Sequence, residues 1–347
     1  MPRFFTEPKS CMTYQVTIAV SGTRFIVENE ESVLDAALRQ GIGLPYGCRN
    51  GLCGTCKGKL QSGKVHYRQP PEALSTEEQQ HGQALLCQAC PDSDLTIAIQ
   101  EITSSADIPV KRFPAKVCSI TKLNHDVMRI CLKTPDSVRM QFLAGQYIDF
   151  ILKDGRRRSF SIANPPHEDQ YIELHVRHIQ GGRFTGEVFD HMQVKDIVRI
   201  EGPLGSFFLR EDSPRPVIFL AGGTGFAPIM GIIKHALKKK IQRQIHLYWG
   251  ARAAEDLYLH SLAQTWAETY PHIQYTPVLS EPNPEDNWQG RTGYVHEAVL
   301  QDFASLAGYD IYASGPPAMV YAGRDAFLPH GLNPQFYYSD AFEFSND

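Results

Sequence analysis

Apolar and polar positions fall into three successive patterns along the chain. Between Tyr14 and Val27 they alternate with period two on either side of Ser21-Gly22, which predicts two short paired strands, Tyr14 to Val20 and Thr23 to Val27. From Ser32 to Gln40 the period becomes helical: Val33, Leu34, Ala37 and Leu38 share a face, and Ser32 stands where an N-cap belongs. Leu95 to Ile99 alternates again as a closing strand. Two strands, a helix, a long loop and a last strand predict an α+β domain of the β-grasp type over residues 12–104.

Ser104 to Pro114 is polar and turn-rich, and predicts a linker bounded at 105–112. The pattern then changes to many short strands: Ala115 to Ile120, Asp126 to Lys133, Tyr147 to Leu152, Tyr171 to Arg177 and Ile197 to Gly202. Their spacing predicts an antiparallel β-barrel over 113–213. From Pro214 the texture changes once more. Val217 to Leu220 is apolar without interruption, as in a strand buried on both faces. A helical stretch follows to Lys238, and strands recur at Ile245 to Trp249, Tyr275 to Leu279 and Asp310 to Ala313. Strand–helix alternation predicts a doubly wound parallel α/β sheet over 214–347.

The chain has 347 residues, too many for one core at roughly 150 residues per domain, which agrees with a multidomain reading. Lys plus Arg number 34 and Asp plus Glu 38, for a net charge of −4. No basic excess points to nucleic acid or to an anionic membrane. Val217 to Leu220 is far too short to span a bilayer, and Met1 to Met12 holds no apolar run of the kind a signal peptide needs. A cytoplasmic protein with no nucleic-acid or membrane partner is the expectation, and structural disulfides are rare there.

The eight cysteines therefore need another role. Cys48, Cys53 and Cys56 follow C-x4-C-x2-C, and thirty residues separate Cys56 from Cys87. This is the plant-type spacing for a [2Fe-2S] cluster, which needs two thiolates for each iron. Gly47, Gly51, Gly54 and Thr55 keep side chains small where backbone N–H groups must crowd around sulfur. The competing reading is zinc, because Cys53/Cys56 and Cys87/Cys90 form two C-x2-C pairs. Zinc leaves Cys48 and the glycines without a role. Under the iron–sulfur reading Cys90 is a bystander, and Cys11, Cys118 and Cys131 are expected to be small buried residues.

Leu44-Pro45-Tyr46-Gly47-Cys48-Arg49-Asn50-Gly51-Leu52-Cys53-Gly54-Thr55-Cys56 resembles a plant-type ferredoxin loop. In the barrel, Arg158-Ser159-Phe160-Ser161 resembles the R-x-[YF]-S signature of the ferredoxin–NADP reductase superfamily. The resemblance implies that Arg158 meets a flavin phosphate, that Phe160 packs beside the flavin, and that Ser161 lies near its reactive N5. Gly181-Gly182-Arg183-Phe184-Thr185 resembles the family's pyrophosphate loop, at the start of an expected helix from Thr185 to His191, which implies FAD. Further cofactor contacts are implied for Ser159, His175, Val176 and Arg177. Ala221-Gly222-Gly223-Thr224-Gly225-Phe226-Ala227-Pro228 resembles the nicotinamide-nucleotide loop A-G-G-T-G-x-[AS]-P, which is not the G-x-G-x-x-G pattern. Ser314-Gly315-Pro316-Pro317-Ala318-Met319 resembles C-G-P-P-x-M, with Ser314 in place of the usual cysteine. Gly222, Gly223, Thr224, Gly225, Gly315 and Pro316 are the implied nucleotide contacts. Ser161, Ser314 and Phe342, the last in a C-terminus that folds back over the flavin in relatives, are the implied catalytic set.

The order ferredoxin, flavin barrel, nucleotide domain resembles single-chain oxygenase reductases and, most closely in local text, the CDP-6-deoxy-Δ3,4-glucoseen reductases. NADH gives two electrons together, a [2Fe-2S] cluster takes one at a time, and a flavin exchanges either. The implied path is NADH to FAD to cluster to a protein acceptor: a pyridoxamine-phosphate-dependent CDP-hexulose dehydrase, or an oxygenase component. NADH is expected over NADPH, since Trp249-Gly250-Ala251-Arg252 offers a lone arginine for a 2′-phosphate. The alternatives are a free-flavin reductase and a non-enzymatic zinc- or redox-sensing module.

Overall fold

The structure, a computed structural model, describes residues 12–102, 108–135 and 140–343, and the chain divides into two compact units, 1–107 and 108–347. Cys11, Phe344 and residues 103–107, which include the first part of the expected linker, lie outside the described residues.

In the first unit β1 (Thr13–Ile18), β2 (Arg24–Glu28), α1 (Val33–Arg39), β3 (Lys57–Ser62), β4 (Val65–His66), α2 (Thr76–Gln80), β5 (Gln83–Leu85), β6 (Cys90–Pro91) and β7 (Leu95–Ala98) follow in order. Five of these strands form one sheet in the order β2-β1-β7-β3-β5, parallel only at β1/β7. The alternation of β1 and β2 sends Val16, Ile18, Phe25 and Val27 inward, where α1 covers them with Val33, Leu34, Ala36 and Ala37. Ser32 caps α1 by accepting from the Asp35 N–H at 3.1 Å. The first helical N–H groups, which lack helical partners, donate instead to the carbonyls of Ala89 and Leu86 at 3.0 and 2.9 Å. That pins the segment carrying Cys87 against the helix.

The second unit begins with a barrel: β8 (Lys111–Lys122), β9 (Val127–Lys133), β10 (Tyr147–Ile151), β11 (Arg157–Ser161), β12 (Ile172–Arg177), α3 (Arg183–Asp190) and β13 (Ile197–Leu204). The antiparallel order is β11-β10-β13-β8-β9-β12, and an Ile162↔Leu174 bridge joins the two outer strands and closes the cylinder. Val117, Ile130, Leu132, Ile148, Ile162, Leu174, Val176 and Ile200 fill it. Lys111 and Arg112, expected in the linker, are in β8, where Arg112 pairs with the buried Glu201 of β13. Cys118 and Cys131 correct a second expectation: Cys118 is exposed and Cys131 only half-buried. A β-bulge between Val117 and Ser119 adds a residue to β8 and turns Cys118 outward.

The remainder is β14 (Val217–Gly222), α4 (Phe226–Lys238), β15 (Ile245–Ala251), α5 (His260–Thr269), β16 (Ile273–Leu279), β17 (Arg291–Thr292), α6 (Val295–Asp302), β18 (Asp310–Gly315), α7 (Pro317–Phe327) and β19 (Tyr337–Ala341). The sheet is parallel throughout, in the order β17-β16-β15-β14-β18-β19. Central β14 shows why the run Val217 to Leu220 is unbroken. Val217, Phe219 and Ala221 pack in a core with residues of α4 and α5, while Ile218 and Leu220 pack in a second core with residues of α6 and α7.

Candidate functional site

In the first unit the four predicted ligands come together as two pairs. The Cys48 N–H points at Cys53 Sγ at 3.4 Å, and the Cys53 N–H at Cys48 Sγ at 3.3 Å. In each pair a shared hydrogen bond holds one thiol up and the other down: Cys48 and Cys56 are raised, while Cys53 falls to about 6 and Cys87 is lowered. The loop achieves this by close approach. Gly51 and Gly54 take φ of +83° and +73°, and a Cβ on Gly47 would meet Cys53 Sγ at 3.2 Å. The Thr55 hydroxyl is buried with no nitrogen or oxygen partner among the described residues, and it helps hold the Cys53 thiol down. Arg49 closes the loop onto α1 through Asp35 at 2.6 Å, and Gln88 donates to the Arg49 carbonyl at 2.8 Å. Four thiols in two pairs, with a buried hydroxyl beside them, fit a two-iron cluster. Cys90 is in β6, paired with His66.

In the second unit the separated motifs converge. β11 and the start of α3 meet through aromatic rings: Phe160 and Phe184 lie 5.5 Å apart, both against Phe150. Helix α3 begins at Arg183, two residues before the expected start, with Gly182 as N-cap and no capping side chain. A Cβ on Gly182 would sit 2.7 Å from Thr185 Oγ1, whose hydroxyl ties the turn by accepting from the Ile179 N–H at 3.1 Å. Gly181, at φ +79°, and Arg183 are exposed. Arg158 is half-buried, with its guanidinium on the Arg157 carbonyl at 2.8 Å. Ser159 spends its hydroxyl on the buried Asp149 at 2.6 Å.

His175 and Val176 are both buried, on opposite faces of β12. Val176 is fully buried in the barrel. His175 lies between Glu173 and Tyr258, 3.0 Å from each. A neutral imidazole satisfies both, donating from Nε2 and accepting at Nδ1, and burial depresses its pKa accordingly. Either residue can meet a ligand only through its backbone. Arg177 donates to Asp126 at 2.7 Å and reaches the Gly223 turn.

Two glycine loops interlock at the carboxyl ends of β14 and β18. A Cβ on Gly225 would lie 1.9 Å from the Ser314 carbonyl oxygen, one on Gly222 2.5 Å from the Met319 sulfur, and one on Gly315 2.6 Å from the Gly222 carbonyl. Trp249 donates to the Gly223 carbonyl at 3.0 Å and stacks on Phe226. Thr224 is half-buried on the turn. Pro316 is the N-cap of α7. Ser314 is fully buried, and its hydroxyl has no partner among the described residues. β19 then lays Asp340 beside Ser314, where its carboxylate accepts from Ser161 Oγ at 2.8 Å. The Phe342 N–H donates to the Gly315 carbonyl at 2.9 Å. Ser161, Ser314 and Phe342 are thus brought together at the end of the sheet, linked through Asp340 and Gly315. The sequence motifs give Asp340 no role. Pairing of the last strand alone puts it there.

Family models match three segments in the same order: a 2Fe-2S iron-sulfur cluster binding domain over 16–92, an oxidoreductase FAD-binding domain over 114–209, and an oxidoreductase NAD-binding domain over 219–325. The chain is 40% identical over 331 residues to the CDP-6-deoxy-L-threo-D-glycero-4-hexulose-3-dehydrase reductase of Yersinia pestis, covering 95% of this chain and 99% of that one. It belongs to the ferredoxin-fused flavoprotein reductases of the ferredoxin–NADP reductase superfamily. This reductase is also 39% identical to reductase component 1 of terephthalate 1,2-dioxygenase from Comamonas, over 95% of its own length and 98% of the relative's. Among solved structures it resembles the Amycolatopsis cytochrome P450 reductase GcoB, with a TM-score of 0.77 and 35% identity over 95% of this chain and 98% of that one. The reductase has a [2Fe-2S] domain, an FAD domain and an NAD domain, and its activity is electron transfer from a nicotinamide nucleotide through flavin and cluster. The zinc-module and free-flavin readings are set aside. No helix among the described residues is long and apolar enough to cross a membrane.

Proposed function

We propose that this reductase delivers electrons from NADH to a CDP-6-deoxy-hexulose 3-dehydrase. The observation that carries the reductive half is the meeting of Ser161, Asp340, Ser314 and Phe342 beside the two interlocked glycine loops. FAD supplies hydride acceptance and one-electron exchange, and the [2Fe-2S] cluster one-electron transfer. The chain's own residues position and exclude. Gly222, Gly223, Thr224, Gly225, Gly315 and Pro316 leave the nucleotide room to approach the backbone. Ser161 is held by Asp340 as an oriented hydroxyl at the flavin, and Phe342, its N–H fixed by the Gly315 carbonyl, covers the flavin. Arg158, with the Gly181–Thr185 turn, takes the phosphates of FAD. Cys48, Cys53, Cys56 and Cys87 hold the irons.

NADH is favoured over NADPH because Arg252, the sole basic residue of its segment, is already engaged by Asp256 at 3.3 Å and Asp126 at 3.9 Å. The dehydrase as acceptor is supported by the Yersinia pestis relative, which aligns end to end. The Comamonas relative supports the second reading, a dioxygenase component. The deciding experiment supplies NADH and this reductase to each purified acceptor with its substrate. Turnover of the dehydrase confirms the proposal. Turnover of the dioxygenase without the dehydrase replaces it with the second reading.

A further inference from the structure

Cys118 and Cys131 have no part in the electron path, yet they are neighbours on the outer face of the barrel. β8 and β9 pair with a break in register: Val117 faces Leu132, Ser119 faces Cys131, and Cys118 is the inserted residue. At such a bulge two residues oppose one, so Cys118 and Ser119 both face Cys131. The contacts agree. Cys118 Sγ donates to the Cys131 carbonyl at 3.1 Å, and Ser119 hydrogen-bonds to the Cys131 thiol. Val117 and Leu132 fill the core, while Cys118 is exposed and Cys131 half-buried. Cross-strand neighbours bring Cα atoms to about 4.5–5.5 Å, within the span of about 4.4–6.8 Å that a disulfide requires.

We propose that Cys118 and Cys131 form a redox-reactive dithiol that closes to a disulfide under hydrogen peroxide. The exposed sulfur of Cys118 attacks the peroxide, the O–O bond breaks, and hydroxide leaves as water after taking the thiol proton. The resulting sulfenic acid is attacked by Cys131 sulfur. The S–O bond breaks, a second water leaves with the Cys131 proton, and the S–S bond forms. Two thiols lose two electrons and two protons, and the peroxide accepts both. The half-buried partner is the resolving thiol, and its position across the bulge stops the ladder of further oxidation at Cys118. A reversible closure of this kind suits a reducing compartment, where cysteine pairs that oxidise are transient.

The test uses the full-length holoprotein treated with hydrogen peroxide, with the visible absorbance of the cluster followed in parallel. Remaining thiols are blocked by alkylation and trypsin releases peptides 117–122 and 130–133, whose flanking residues are Lys116, Lys122, Arg129 and Lys133. The expected product is these two peptides joined, lighter by two hydrogens than their sum, separated again by dithiothreitol, and lost in Cys118→Ser. In Cys131→Ser, dimedone should label Cys118, which it should not do in the unaltered protein. Recovery of Cys118 as sulfinic or sulfonic acid with Cys131 still a thiol overturns the proposal. So does recovery of both as free thiols while the cluster bleaches.

Discussion

The Ser161 hydroxyl depends for its direction on a carboxylate from the far end of the chain. Asp340 accepts from it at 2.8 Å, and a hydrogen bond to a charged group contributes about 1.5–3 kcal/mol. Asp340→Ala should leave FAD bound but slow its reduction by NADH about tenfold, because roughly 1.4 kcal/mol of lost positioning corresponds to that factor. Stopped-flow bleaching of the flavin reads it, and an unchanged rate would remove Asp340 from the site. His175 gives a second prediction at this scale. Its folded pKa is depressed by burial, so as pH falls below the ordinary histidine value of about 6.5 the unfolded chain takes up a proton that the folded one refuses. Stability should therefore be unaffected by this group above neutrality and fall below about pH 6.5, by at most about 1.4 kcal/mol per pH unit. His175→Gln should flatten that part of the Tm-versus-pH curve.

Among the elements, the turns after β14 and β18 are the most constrained. Gly225 has φ −58°, a value any residue tolerates, so its need for glycine is purely steric: the Ser314 carbonyl would be 1.9 Å from a Cβ. Gly225→Ala must push two main-chain segments apart, and we expect a loss of about 1–3 kcal/mol in stability together with weakened NADH binding. Gly181 is the contrasting case. It has φ +79° and open space around it, so Gly181→Ala should cost only about 1–2 kcal/mol from backbone conformation and leave NADH affinity alone. Thermal melts with NADH titrations of the two variants separate steric from conformational need. If both variants bind NADH as the unaltered protein does, the interlocked loops are not the nucleotide site.

For the whole molecule the compact unit 108–347 contains both the flavin barrel and the nucleotide domain. A chain shortened to these residues should bind FAD and reduce ferricyanide with NADH. It should lose most cytochrome c reduction, because the one-electron exit through Cys48, Cys53, Cys56 and Cys87 is gone. Cytochrome c reduction that survives undiminished, without superoxide, would take the cluster off the electron path.

The three domain classes, the cluster cysteines and the glycine loops were legible in the sequence because each leaves a local signal: a hydrophobic period, a thiol spacing, or a run of glycines. Strands β3, β5 and β19 were not legible. Their residues, such as Lys57–Ser62 and Tyr337–Ala341, have little alternation and become strands only because a neighbour offers a free edge. The burial of His175 was equally hidden, since its partner Tyr258 comes from the other domain of the unit. The exposure of Cys118 depends on one extra residue in β8, which local sequence does not reveal, because a bulge is defined only by the register of the strand beside it. Residue types and their spacing thus determine what chemistry the chain can hold. Contacts such as Ser161 with Asp340 arise only from non-local strand pairing, which sequence proximity does not encode.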